Sequence, residues 1–324
     1  SDREQLRLFR ALPGEDMALR DAQDLMAYPF FSLAKSRRTV PIRFEAGGVS
    51  LTVEGVPEHG IATIWDADVL IWAASQIVQA RDEGRPTSRL MAATPYEILR
   101  FAQRGTGQTE YLALRASLDR LQSTTVLTSI RQAGKRMHRF SWINEWQDHV
   151  RPDGRSEGIE LILPDWVYSG VMDDALVLTL DPTYFRLTGG IERWLYRLVR
   201  KHGARQRNGW RFDMRHLYLK SGSLQRYRDF ALHLRGLVLR QALPGYRLAI
   251  EWSGRTEWLA FRPDADVQLQ PDLSTGDVEE AVDGVWTDSG DRRRGSREIT
   301  GGAIGKSPAQ NLAQAAPGNG LVLP

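Results

Sequence analysis

Thirteen Lys or Arg residues lie between Ile191 and Arg240 against three acids, a local charge of +10 in a chain whose total is only +3. The chemistry these residues supply is recognition of phosphate. Guanidinium forks and ammonium groups neutralise phosphodiesters, and Arg also pairs with the edges of bases. A generic charged surface mixes signs, and this stretch scarcely does. It is the electrostatic footprint of a nucleic-acid surface.

Other patterns with chemical potential carry less. His202-Gly203-Ala204-Arg205 has the His-x-x-Arg spacing of tyrosine recombinases, with Tyr218 and Tyr227 downstream. A cation at the end of a helix is favoured in any case, so this spacing alone is a weak sign. Gly301-Gly302-Ala303-Ile304-Gly305-Lys306-Ser307 imitates a phosphate-binding loop, one residue short and with no preceding strand. There is no Cys, which excludes disulfides and Cys-based zinc. None of the six His is paired with another across one apolar residue, and Asp173-Asp174 lacks partners at metal-ligand spacing. The sequence predicts no catalytic residue, no metal and no cofactor.

The elements that must position the basic residues are helical. Ile191, Trp194, Leu195, Leu198 and Val199 form one apolar stripe, which predicts that Arg193 and Arg197 lie on the outer face of that helix. A short helical piece spans 212–220. A second long helix is predicted to open at Ser221-Gly222-Ser223, with Leu224, Tyr227, Ala231, Leu234 and Val238 inward and Phe230 and Leu237 thickening that stripe. Tyr246 to Phe261, interrupted by Ser253-Gly254-Arg255, reads as a β-hairpin. Three helices followed by a hairpin is a winged helix, whose third helix enters the major groove.

The first half has the same grammar. Val40 to Val53 reads as a hairpin around Gly47-Gly48, and Asp66 or Asp68 opens a helix. Thr94-Pro95-Tyr96-Glu97 is a capping box with Pro in the first turn. A third helix runs over 109–122, and strands follow at 124–131, 139–146 and 159–163. The first two of these strands, joined by a basic tip, are taken as the wing. The expected fold is therefore α+β: an arm at 1–24, winged-helix domains at 25–165 and 181–263, a linker at 166–180, and a disordered tail at 264–324. That tail carries ten acids against five Lys or Arg and has no apolar period. The longest unbroken apolar run, Val69 to Ala74, is far too short for a membrane span. With no secretory signal visible, a soluble cytoplasmic protein is expected.

Leu178 to His202, with Asp181-Pro182-Thr183-Tyr184-Phe185 and Trp194-Leu195-Tyr196, resembles the plasmid replication initiator protein A family. So do Ser221 to Phe230, Trp65 to Leu70 and Thr94 to Leu99. The resemblance spans about residues 25 to 263. It implies tandem winged-helix domains that bind repeated origin sites (iterons) in duplex DNA, opening of nearby AT-rich DNA, and recruitment of the host's replicative helicase and initiator. It also implies a homodimer formed through the first domain that represses transcription.

The residues expected to touch bases are Gln225, Arg226 and Arg228 at the start of the groove helix. Phosphate contacts are expected from Ser221, Ser223, Arg193, Arg197, Arg205, Arg207, Arg211, Lys220 and the wing residue Arg255. Arg115, Lys135, Arg136 and Arg139 are the first-half candidates. The rival readings are a repressor built from the same modules, a strand-transfer enzyme using His202, Arg205 and a tyrosine, and a protein whose basic faces bind acidic partners.

Overall fold

The computed structural model describes residues 2–13, 17–134, 136–152, 156–204, 206 and 208–264. The expected tail, the Gly301–Ser307 stretch and Arg205, Arg207 and Lys135 lie outside the described residues.

The chain opens with α1 (Asp2–Gln5), β1 (Phe9–Arg10), β2 (Arg20–Ala22) and α2 (Gln23–Ala27). These residues were expected to form an arm, but they are built into the fold. β1 pairs in parallel with a strand near residue 91, and β2 pairs antiparallel with a strand near residue 178. Next comes the hairpin β3 (Ile42–Ala46) and β4 (Val49–Glu54), whose Gly47 and Gly48 both have positive φ. That geometry suits a two-residue hairpin turn.

The rest of the first half runs α3 (Ala67–Asp82), β5 (Leu90–Ala93), α4 (Pro95–Phe101), α5 (Gln108–Ser123), β6 (Thr125–Thr128), β7 (His138–Ser141), β8 (Glu145–Val150) and β9 (Ser156–Ile162). The capping box at α4 is present: Glu97 N–H donates to Thr94 Oγ1 at 3.2 Å, and Thr94 N–H donates to Glu97 Oε2 at 2.7 Å. Residues 166–180, expected to be a linker, mostly hold α6 (Asp165–Met172) and β10 (Val177–Thr179).

The second half is α7 (Gly190–Gly203), β11 (Trp210–Asp213), α8 (Met214–Ser221), α9 (Tyr227–Arg240), β12 (Tyr246–Ser253) and β13 (Thr256–Pro263). Its sheet is ordered β11-β13-β12. The order helix–strand–helix–helix–strand–strand is repeated in the first half by α3, β5, α4, α5, β8 and β9, where the sheet runs β1-β5-β9-β8. The repeat is therefore real, but the hairpin that fills it is not the expected one. β6 and β7 form a separate sheet, β3-β4-β6-β7. Leu51 and Val53 of β4 are buried and pair in register with Thr128 and Val126, so β6 completes that apolar face and leaves the position beside β5 to β9.

One apolar core runs through both halves. Phe30 packs edge-on to Trp142, Phe140 stacks on Trp166, and Trp194 lies against Phe230. Buried ion pairs join the halves as well. Arg193 Nη1 donates to Asp68 Oδ1 at 2.7 Å and Arg197 Nε donates to Asp21 Oδ2 at 2.7 Å, while within the first half Arg104 Nη2 donates to Asp68 Oδ2 at 2.7 Å. Burial pushes the carboxyls of Asp21 and Asp68 above the ordinary range, while Arg197 and Arg193 pull them back down. Among the described residues no helix is long and apolar enough to cross a membrane.

Candidate nucleic-acid interface

The surface built around α8 and α9 starts from local caps. Asp213 closes the N-terminus of α8, its Oδ1 accepting from Arg215 N–H at 2.7 Å and His216 N–H at 3.0 Å. Gly222, at φ +58°, ends that helix in the left-handed region. The groove helix was expected to open at Ser221-Gly222-Ser223, and it does not. Ser221 is the last residue of α8, buried, with its hydroxyl donating to Tyr218 O at 2.7 Å. Ser223 Oγ accepts from Gln225 N–H at 3.2 Å inside a turn. α9 starts at Tyr227, and Arg226 is its N-cap residue, without a side-chain cap. The inward stripe of α9 is Phe230, Ala231, Leu234 and Leu237, with Val238 half-buried. Leu224, expected inward, is exposed.

Gln225, Arg226 and Arg228 are all exposed, in the turn, at the cap and in the first turn of α9. Tyr218 hydroxyl donates to Gln225 O at 2.6 Å and fixes the backbone leading into the helix. Sequence reasoning missed Leu232, 63% exposed one helical turn beyond Arg228. The signal was available, since i and i+4 share a helix face. Arg235 is not free on that face: its guanidinium grips Glu257 of β13 through two bonds of 2.7 Å. At the end of the β12–β13 hairpin, Arg255 and Trp252 are both exposed. Arg211 lies on the outer face of the three-stranded sheet, 4.7 Å from the Trp258 ring and 3.6 Å from Glu251.

Four expected phosphate contacts are corrected. Arg193 and Arg197, 4% and 1% exposed, lie inside the molecule with Asp68 and Asp21 as their partners. α7 is sandwiched between the halves, so the face that its apolar stripe leaves over meets the first half and not solvent. Lys220, 4% exposed, sits over the Tyr28 ring at 5.5 Å. Burial likewise removes Ser221 from any phosphate. The +10 of this stretch is thus partly internal; its exposed cations among the described residues are Arg211, Arg215, Arg226, Arg228 and Arg240, with Arg255 exposed at the end of the hairpin.

In the first half, Arg115 lies 3.7 Å from Asp148 and near the rings of Tyr111 and Trp146. Arg136 and Arg139 are exposed, but on the β3-β4-β6-β7 sheet, away from the hairpin that matches β12–β13. His202 is buried between Phe212 and Trp210. No three His, Asp or Glu among the described residues converge as metal ligands.

Comparison with known proteins follows the same line. The family model described as replication initiator protein A matches residues 20–248. A curated protein of Wigglesworthia glossinidia brevipalpis, named "Putative replication protein", is 29% identical over 228 residues, covering 69% of this chain and 82% of that protein. The crystal structure of selenomethionine derivatives of domains 2 and 3 of RctB is similar in fold, with a TM-score of 0.57 at 15% identity, covering 75% of this chain and 99% of the other. A second RctB structure of domains 2–3 has a TM-score of 0.51 at 15% identity, with 76% and 98% covered.

Proposed function

The chain belongs to the replication initiator protein A family, and on that premise we propose that it binds repeated origin sites in duplex DNA through two winged-helix modules. The observation that carries this reading is the second half. Its element order and its β11-β13-β12 sheet match a winged helix, and α9 turns Arg226, Arg228 and Leu232 outward beside a hairpin that ends in Trp252 and Arg255. In that geometry the third helix reads base edges and the hairpin meets the backbone. Gln225 and the two Arg are suited to adenine and guanine edges respectively.

Opening of AT-rich DNA, loading of the host helicase and dimerisation through the first half are parts of the same reading, supported by family membership alone. The proposed role is non-catalytic. His202 stacks among aromatic rings below the surface, which argues against a strand-transfer centre there. A soluble cytoplasmic protein is the setting this role requires.

The test is footprinting on the DNA flanking the gene. Repeated protected blocks are the expected result, and protection of a single block would favour a repressor made of the same modules. A duplex affinity that hardly changes between 50 and 200 mM salt would remove the DNA reading, because roughly 6–10 phosphate contacts imply a fall of about 10³–10⁵.

A further inference from the structure

Residues 32–38 have no regular secondary structure, yet both halves hold them on a fixed path. Ser32 N–H donates to Ala62 O at 2.9 Å, its carbonyl accepts from Ile64 N–H at 2.9 Å, and Ile61 N–H donates to Arg38 O at 2.8 Å. Arg38, nearly buried, donates to Val40 O at 2.8 Å, to Pro41 O at 3.3 Å and to Gly222 O at 2.5 Å. The last bond reaches the end of α8 in the second half. Gly190, which opens α7, has the Leu33 carbonyl where a Cβ would stand, so any other residue there would push the segment away. Gly60, at φ +76°, lies against the Arg37 side chain in the same manner.

This strap turns Lys35, Ser36 and Arg37 outward. On one side it borders a groove of about 470 Å³ whose far wall is α5, through Ala113, Ala116 and Ser117. On the other side it borders a smaller groove of about 140 Å³ with Ser223, Leu224 and Gln225, the turn that leads into α9. Arg37 lines both grooves. The strap contains no acid. Of the two acids beside the larger groove, Asp66 is engaged by Arg120 and Thr63, which leaves Glu110. Lys35 Nζ stands 5.3 Å from the Trp65 ring, and Arg37 Nη1 donates to Glu58 O at 2.9 Å, so both cations are steered by neutral groups.

We infer that residues 32–38 form a phosphate clamp in which Lys35 and Arg37 hold the duplex backbone between the stretch met by α5 and the stretch met by α9. The inference rests on the DNA-binding reading above. A backbone passing from one third helix to the other must cross the element that borders both. Cations on a path already fixed by six hydrogen bonds lose little freedom on binding. The clamp is sequence-independent, because phosphates carry no base identity.

The experiment uses the full chain, a duplex selected by the wild-type protein from a random pool, and an unrelated duplex of equal length. In the Lys35→Gln/Arg37→Gln variant the slope of log affinity against log salt should fall by about two, since each phosphate contributes about 0.9. Affinity for both duplexes should drop by the same factor. Phosphate ethylation interference should vanish between the two protected stretches and persist elsewhere. Lys35→Arg with Arg37→Lys, which keeps both charges, should retain the wild-type slope and guards against a folding artefact. Unchanged slope and interference in the Gln variant, with the wild type still selecting its duplex, would overturn the clamp alone. If the wild type selects no duplex at all, the DNA reading fails and the clamp with it.

Discussion

Helix α5 in the first half and helix α9 in the second each follow a short helix and occupy the same place in the repeat, yet their surfaces carry different charge. α5 carries Glu110, Arg115, Asp119 and Arg120, which sum to zero. Its cations are engaged: Arg120 donates to Asp66 at 2.8 and 2.7 Å, and Arg115 lies 3.7 Å from Asp148. Part of its surface also faces the groove bordered by residues 32–38. α9 carries Arg228, Asp229, Arg235 and Arg240, a net of +2, and Arg226 stands at its cap. A shared element order therefore fixes where the third helix sits but not the charge it presents. That depends on which cations lack an internal acid.

The comparison is broken most severely by removing what joins the halves. Asp68→Asn leaves Arg193 and Arg104 without their shared carboxylate, and stripping one member from a buried ion pair costs about 3–5 kcal/mol. Denaturant unfolding should record a loss of that size. A loss below about 1 kcal/mol would mean the apolar core alone unites the halves.

On the reading side, Arg226→Ala or Arg228→Ala should each weaken binding to the selected duplex by about 1–3 kcal/mol, with little change on unrelated duplex. Equal losses on both duplexes would turn α9 from reader into anchor. Leu232→Ala should cost less, about 0.8 kcal/mol, the worth of one thymine methyl withdrawn from apolar contact. Replacing thymine by uracil in the selected site should reproduce the effect in the wild type and add nothing in the variant. Arg115→Ala in α5 should change affinity by no more than about 0.5 kcal/mol, because its charge is already answered by the Asp148 carboxylate. A larger, sequence-specific loss would make the two third helices equals.

Much of this organisation was legible where local chemistry decides. Gly47-Gly48 fixed the β3–β4 hairpin and the Thr94–Glu97 box fixed α4, while on α9 Ala231 and Leu234 of the expected stripe are buried and Leu224 is not. Arg228 is exposed on α9 as its period requires, whereas Gln225 and Arg226 are exposed in the turn and at the cap that precede it. Partners distant in sequence were not legible. The periodicity of α7 separates two faces, but it cannot tell whether the second meets water or Asp21 and Asp68, more than a hundred residues away. Two tandem hairpins, β6–β7 and β8–β9, both satisfy a strand pattern, and only the buried edge of β4 decides which one joins β5. β5 itself, Leu-Met-Ala-Ala, is buried on both faces and has no alternation to announce it. Ser221-Gly222-Ser223 fits a helix start as well as a helix end, and the left-handed Gly222 chose the end.

The Arg38 bond to Gly222, set beside the buried Asp21–Arg197 and Asp68–Arg193 pairs, has a consequence for helical phase. On the proposed reading, halves held together by these contacts keep their two stretches of duplex at one helical phase. B-DNA turns once in about 10–10.5 base pairs, so inserting about five between the two protected stretches would carry one of them to the far face. A flexible pair of modules would absorb that change. Halves joined by these buried contacts should release one of the two stretches, and the lost footprint should belong to the half carrying α5.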